Sequence, residues 1–308
     1  MAVNWCFVSM MDQWGLLRPG MRVLDIGSSN LYNATAPEIA AFFRKYNPAM
    51  PEARVLADAE RLAAGSYVDP VRGASNKTFL GEVFDAVGIG YLSFDIAVGY
   101  KTEVADFNTY TLPARHRGAF DLVLNFGTTE HIIHQFNSFK IIHEAARPGG
   151  VIWNQLPGGG YVDHCYFTYH PRFFLDLAMA NGYGVERYWI SVGQPCRVFD
   201  GLAEYAGAFP AVADFLANPK GRPQLVENVA LPDVGINAVY RKTSDRPFRA
   251  SIERTTSVGA VPDSVMKAYT DGPVRPALLS RVWRGMKRRI KPIVKPVLKP
   301  LLSAMRGR

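Results

Sequence analysis

Short apolar runs alternate with amphipathic stretches along the first 245 residues, and that order admits few folds. Arg22-Val-Leu-Asp-Ile26, residues 91–96, Phe120-Asp-Leu-Val-Leu-Asn125, and residues 151–156, 185–192 and 235–242 have the length and apolar content of buried strands. Helices are predicted between them. Thr35-Ala-Pro-Glu38 spells a capping box with proline in the first turn, opening a helix through Phe43 that stops before Pro48. Further helices are predicted at 52–64, 79–87 and 171–181, the last ending at Gly182. Another spans 132–146, with Ile132, Phe136, Phe139 and Ile142 on one face and Pro148-Gly149-Gly150 as its stop. Before the first strand, Trp5, Val8, Met11 and Gln13–Trp14 read as a helix covering a core. Alternating strands and helices with short connections predict a doubly wound α/β domain, a mostly parallel sheet with helices on both faces.

The net charge of +8 is unevenly placed. Residues 281–308 hold ten bases and no acid, which leaves 25 bases against 27 acids in the rest of the chain. A near-neutral body therefore precedes a basic tail, and an overall basic pI is no argument for a nucleic-acid-binding domain. Cys6, Cys165 and Cys196 are too few and too scattered for a disulfide framework or a zinc module, so a reducing compartment is expected. The first 17 residues lack a basic n-region and a small-residue cleavage site, and no apolar run approaches the ~20 residues that span a bilayer. The expected location is cytoplasmic.

In open α/β sheets the ligand lies at the carboxyl ends of the strands, near the switch in strand order. Asp25-Ile-Gly27 sets an acid and a turn-forming glycine at the first such end, followed by Ser28 and Ser29. Asp95 ends the second apolar strand, where a carboxylate can take both hydroxyls of a ribose. Asp106 and Phe107 end a third short stretch and suit an adenine, and Asn125 ends the fourth. In this order the motifs resemble those of the class I S-adenosylmethionine-dependent methyltransferases over residues 20–245. Val23-Leu-Asp-Ile-Gly27 resembles the first motif of that family, Asp95 its ribose acid, and Ala105-Asp-Phe107 its adenine motif. The resemblance implies a Rossmann-like sheet of seven strands, the last antiparallel, with S-adenosylmethionine as cofactor. Residues 235–242 are the candidate for that last strand.

Two departures stand out. Serines replace the second glycine of the first loop, and 68 residues separate Gly27 from Asp95 against the ~20 of an ordinary dinucleotide fold. An insertion at 48–78 at the substrate entrance accounts for the second. An NAD-type site is disfavoured because Gly27-Ser-Ser-Asn-Leu-Tyr32 holds one glycine where a pyrophosphate needs three.

Methyl transfer asks for in-line positioning and, for a hydroxyl acceptor, a base. The acceptor is expected to face Thr128, Glu130, His131 and His134 after the fourth strand, and Tyr161, His164 and Tyr169 after the fifth. His131 is the first choice as base and His164 the second, because a neutral imidazole suits that task. Helix or loop capping is the competing explanation for both. His131, His134, His164 and Asp163 lack a metal-binding spacing, so no metal is assigned. His143 is expected to be solvated or packed, and His116, between Arg115 and Arg117, to lie in a surface loop.

Three segments are predicted: a methyltransferase domain at 1–245, a linker at 246–276 and a basic amphipathic tail at 277–308. In the tail, Leu278, Leu279, Val282, Trp283, Met286 and Ile290 share a helical face, and Lys-Pro steps with paired apolar residues follow. Apolar content beside basic residues favours an anionic membrane surface, at about 1 kcal/mol per basic residue. The absence of interleaved aromatics makes nucleic acid the less favoured partner. Together these features point to O-methylation of a small or glycan-linked acceptor by an enzyme peripheral to the inner face of the cytoplasmic membrane. The alternatives are a non-catalytic membrane adaptor that keeps the fold, and an RNA methyltransferase with an RNA-binding tail.

Overall fold

The computed structural model describes residues 2–66, 77–161, 164–192, 197–199 and 233–252. The chain divides into two compact units, Met1–Arg254 and Thr255–Arg308. The second unit, and with it the basic tail, lies outside the described residues, as do most of the predicted linker, residues 67–76 of the predicted insertion, and Asp163.

The body is built on one eight-stranded sheet. Its members are β2 (Arg22–Ile26), β4 (Gly90–Asp95), β5 (Thr102–Val104), β6 (Phe120–Phe126), β7 (Ala146–Gly159), β8 (Gly184–Val192), β9 (Arg197–Phe199) and β10 (Val234–Arg241). They are ordered β5-β4-β2-β6-β7-β10-β8-β9. β5, β4, β2, β6 and β7 run parallel, whereas β10 is antiparallel to both β7 and β8. The expected seven-stranded Rossmann-like sheet with an antiparallel last strand is therefore present, and β9 adds an eighth member at the edge. A separate two-stranded sheet pairs β1 (Ala2–Asn4) in parallel with β3 (Asn30–Tyr32).

The side-chain period of two along each strand sends alternate residues to opposite faces. Val23, Leu122, Leu124 and Trp153 pack against residues of α1 (Trp5–Gln13), α2 (Ala36–Tyr46), α3 (Glu52–Gly65) and α4 (Leu80–Ala86). Leu24, Ile26, Val123 and Ile152 pack against α5 (Gln135–Ala145) and α6 (Pro171–Asn181). The capping box at Thr35 and Glu38 forms as its spacing predicts, and α6 closes on Gly182 at φ +65°.

Several local expectations need correction. α5 starts at Gln135, three residues later than its periodicity suggests, because Thr129–His131 winds into a 3-10 turn. Phe136 is consequently half-exposed and meets Phe248 instead of the sheet. His116 is not in a surface loop. It is buried against Phe94 and Phe120, with Nε2 2.8 Å from Glu103. At the start of the predicted linker, Arg249 exchanges hydrogen bonds with Asn181, and the Arg246 carbonyl meets the buried His143 ring. Cys6 is disulfide-bonded, which three scattered cysteines do not predict, while Cys165 is free.

Candidate functional site

Chain order runs from β2 outward to β4 and β5, then returns to β6 and β7 on the other side. The switch in direction thus falls between β2 and β6, and ligands in such sheets bind outside the carboxyl ends of the strands there. Gly27, Asp95 and Asn125 all sit at that place. The 68 residues between Gly27 and Asp95 do not keep them apart. β2 and β4 are parallel neighbours, the Gly27 N–H donates to the Phe94 carbonyl at 2.7 Å, and the Ser28 N–H donates to Asp95 Oδ2 at 3.0 Å.

Asp25 organises the loop from beneath. It is wholly buried, and its Oδ2 accepts from the Ser29 N–H at 3.0 Å and from the Tyr91 hydroxyl at 2.7 Å. Its Oδ1 has no partner, and burial pushes its pKa up to about 6 despite those hydrogen bonds. Gly27 turns the chain at φ +92°, a conformation that glycine adopts without a Cβ penalty.

The serines do not obstruct this cradle. Ser28 Oγ turns toward the loop after β4, where it accepts the Tyr100 N–H at 3.1 Å. A Cβ on Gly99 would lie 2.2 Å from that hydroxyl, so Gly99 is what lets the two loops close. Ser29 Oγ folds back to the Gly27 carbonyl. Asp95 accepts backbone N–H groups from Ser28 on one oxygen and from Ala97 on the other, and each oxygen keeps a second lone pair for a ribose hydroxyl. This donor and acceptor set fits S-adenosylmethionine.

The adenine side differs from the expectation. Phe107 is buried, stacked on Tyr110 at 6.2 Å and edge-on to Phe94, so its ring belongs to the core. Asp106 remains exposed but turns inward on its own loop, accepting from the backbone and side chain of Asn108. The apolar surface next to Asp95 is supplied by Ile96 and Val98, which are 74% and 87% exposed. Sequence reasoning missed both, although a bulky aliphatic residue directly after a strand-end acid was the available signal.

At the end of β6, Asn125 is buried and donates to Thr129 Oγ1 at 3.1 Å and to Asn154 Oδ1 at 2.9 Å, while its own Oδ1 has no partner. Thr128 is buried and its hydroxyl donates to the Ile26 carbonyl, tying the β6 turn to β2. Glu130 is buried with Oε2 unpartnered, and burial raises its pKa to about 7. His131 and His164 are brought together, their ring centroids 5.1 Å apart, and Tyr161 lies 5.7 Å from His164. Burial, then the neighbouring His164, lowers the pKa of His131. Tyr161 is held at φ +50°, its N–H donating to Asp233 at 2.6 Å.

Two predicted substrate residues, Tyr169 and His134, have hydrogen-bond partners within the fold. Tyr169 is buried and donates its hydroxyl to Gln135 at 2.6 Å and Thr129 at 3.1 Å. His134 precedes α5 and is bonded through its backbone and ring to Asn108. A crevice of about 420 Å³ among Trp14, Leu16, Arg187 and Arg241 opens at the opposite end of the sheet, near the start of β7.

No protein-family profile matches the chain, and no curated protein does. Solved structures of similar fold include a protein of Bacillus halodurans, at 12% identity and TM-score 0.40, covering 77% of this chain and 99% of that one. Another is a SAM-dependent methyltransferase from Archaeoglobus fulgidus, at 14% identity and TM-score 0.38, covering 77% and 93%. A third is the Burkholderia thailandensis 1,6-didemethyltoxoflavin-N1-methyltransferase, which carries S-adenosylhomocysteine, at 11% identity and TM-score 0.37, covering 77% and 76%. The fold assignment rests on the strand order of this sheet itself, a Rossmann-like doubly wound sheet.

Proposed function

We propose that the protein is an S-adenosylmethionine-dependent methyltransferase acting on a hydroxyl of a small or glycan-linked acceptor. The observation that carries this reading is the meeting of Gly27 and Asp95, with Asp95 held by the Ser28 and Ala97 N–H groups beside exposed Ile96. A ribose-binding carboxylate, a glycine turn without an anion-binding glycine triplet and an adjacent apolar face suit a cationic nucleoside better than a pyrophosphate. The cofactor supplies a methyl group already activated on a sulfonium. Asp95 orients the ribose, Asp25 fixes the loop that faces the methionine portion, and His131, His164 and Tyr161 border the approach of the acceptor.

Calorimetry with S-adenosylmethionine tests the reading. The full chain should bind it, and Asp95→Ala should weaken binding about 10- to 100-fold through loss of charge-assisted hydrogen bonds. Absence of binding by the intact chain would leave the non-catalytic adaptor. The proposed seat on the cytoplasmic membrane face derives from the charge pattern of residues 278–308. Sedimentation with vesicles of phosphatidylserine and phosphatidylcholine should depend on that tail, and equal binding by a chain ending at residue 276 refutes its anchoring role.

A further inference from the structure

We infer that Glu130 is the catalytic base of this site, taking the proton of the acceptor hydroxyl as the methyl group is transferred. The inference rests on the methyl-transfer reading above and fills the role that reading leaves open.

The position comes first. Glu130 lies in the 3-10 turn directly after β6, at the carboxyl end of the strand flanking the switch in sheet order. It is 2% exposed, its Oε2 has no hydrogen-bond partner, and among the described residues no cation pairs with it. The carboxyl keeps a hydrogen bond from its own backbone N–H, which leaves Oε2 unpaired, and a buried carboxyl oxygen left unpaired is costly to a fold. Gly127, at φ +74°, leaves one side of the carboxyl free of a side chain, since a Cβ there would lie 3.5 Å from Oε1. The Glu130 carbonyl accepts the N–H groups of Tyr166 and Phe167 at 3.1 Å, which places the segment after β7 across the same turn.

The two candidate bases differ in strength. His131 is weakened by burial and by His164, whereas burial strengthens Glu130 as a base to about 7. The ordinary order of imidazole over carboxylate is reversed here, and a base poised near neutral pH is the effective one. The groups that sense the Glu130 charge are Tyr161, Cys165 and Tyr169, with the amino terminus acting in the opposite sense. In the step itself, the acceptor oxygen bonds the methyl carbon of S-adenosylmethionine and its O–H proton passes to Glu130 Oε2. The pair of the broken carbon–sulfur bond stays on sulfur, leaving a neutral thioether, and the protonated Glu130 returns its proton to solvent after product leaves.

The test uses the full chain labelled with [δ-13C]glutamate. The resonance lost in Glu130→Gln should titrate with a midpoint near 7, and a midpoint near 4.5 overturns the inference whatever the acceptor is. In parallel, tritiated methyl transfer from S-adenosylmethionine to a cell extract should fall at least about 100-fold in Glu130→Gln. Calorimetric binding of S-adenosylmethionine should persist in Glu130→Gln, weakened about 10-fold by the lost carboxylate charge, and Glu130→Asp should restore part of the transfer and shift its pH profile. Transfer by Glu130→Gln within fivefold of wild type refutes the base. Failure of the wild-type chain to bind S-adenosylmethionine refutes the methyl-transfer reading instead, and Glu130→Asp carries the comparison should Glu130→Gln not fold.

Discussion

Asp25→Asn should flatten the pH dependence of stability. Asp25 is wholly buried, its Oδ1 is unpartnered, and its pKa is raised from 3.8 to about 6 by desolvation. Between those values the folded chain holds more protons than the unfolded chain, so this group makes stability fall as pH rises. The accumulated cost approaches about 3 kcal/mol at pH 8, and about 1.4 kcal/mol of it develops between pH 5 and pH 8. Asparagine removes the titration and keeps a carbonyl for the Ser29 N–H and Tyr91 hydroxyl. It also sets an NH2 where Oδ1 stands alone, a buried unpaired donor costing about 1–3 kcal/mol. At pH 8 the variant is therefore expected between equal in stability and about 2 kcal/mol more stable than wild type. The slope discriminates better than the level. Urea unfolding followed by tryptophan fluorescence should show the variant gaining about 1.4 kcal/mol on wild type from pH 5 to pH 8. Glu130 and His143 titrate in both chains and cancel from the difference. Parallel pH curves would refute the reasoning, because they would mean that Asp25 ionises in the fold without penalty.

Three further predictions concern the scaffold. Lys242→Met should destabilise the fold by about 2–4 kcal/mol in urea titrations, since the buried ammonium satisfies the carbonyls of His143 and Ala146 at 2.9 Å. His143 is held neutral, its pKa lowered to about 4 by burial and then by Lys242. Its contribution is present above pH 6.5 and lost as pH falls toward 4, by up to about 3 kcal/mol, so thermal unfolding of His143→Gln should show a shallower acid limb than wild type. Gly182→Ala should cost about 1 kcal/mol, measurable as a lowered Tm, because the α6 cap at φ +65° strains any Cβ-bearing residue even though the nearest atom, Thr243 Oγ1, stands 3.9 Å away.

The sheet was legible because its central strands are mostly apolar and bounded by turn residues, and β2, β6, α6 and β10 fall within a residue or two of their sequence boundaries. Periodicity misleads where a polar turn interrupts it. The helical stripe through Ile132 and Phe136 ignores the 3-10 turn at Thr129–His131, which forms so that Thr129 and Glu130 point inward. Residue type gave the site's acids but not their environment. Glu130 and His131 are adjacent in sequence, and the neutral-range reference pKa of histidine favoured it as base, whereas burial reverses their order. Long-range partners were hidden for the same reason. His116 lies between two arginines, and no local pattern shows that Glu103 draws it into the core. Tyr169 and Phe107 carry the aromatic character of binding residues, yet hydrogen bonds to Thr129 and Gln135 commit the first to the scaffold and stacking on Tyr110 commits the second.

Asp25 lies in β2 and Glu130 in the turn after its neighbour β6, and burial is the largest cause of the raised pKa of each. S-adenosylmethionine brings an ammonium and a sulfonium to that place under the proposed reading. Positive charge at short range favours the ionised form of each carboxyl and lowers its pKa. At pH 6.5, values of about 6 and about 7 leave Asp25 about one-quarter and Glu130 about three-quarters protonated, so binding should release up to about one proton. Calorimetry in buffers of different ionisation enthalpy measures that release directly. It should be larger at pH 6.5 than at pH 8.5, where both groups are already ionised, and smaller for S-adenosylhomocysteine, which lacks the sulfonium. Glu130→Gln should remove most of it and Asp25→Asn a lesser part. A binding enthalpy independent of buffer at pH 6.5 would show that the cofactor's charge does not reach these carboxyls, and the placement of its methionine portion over the Asp25 loop would then be wrong.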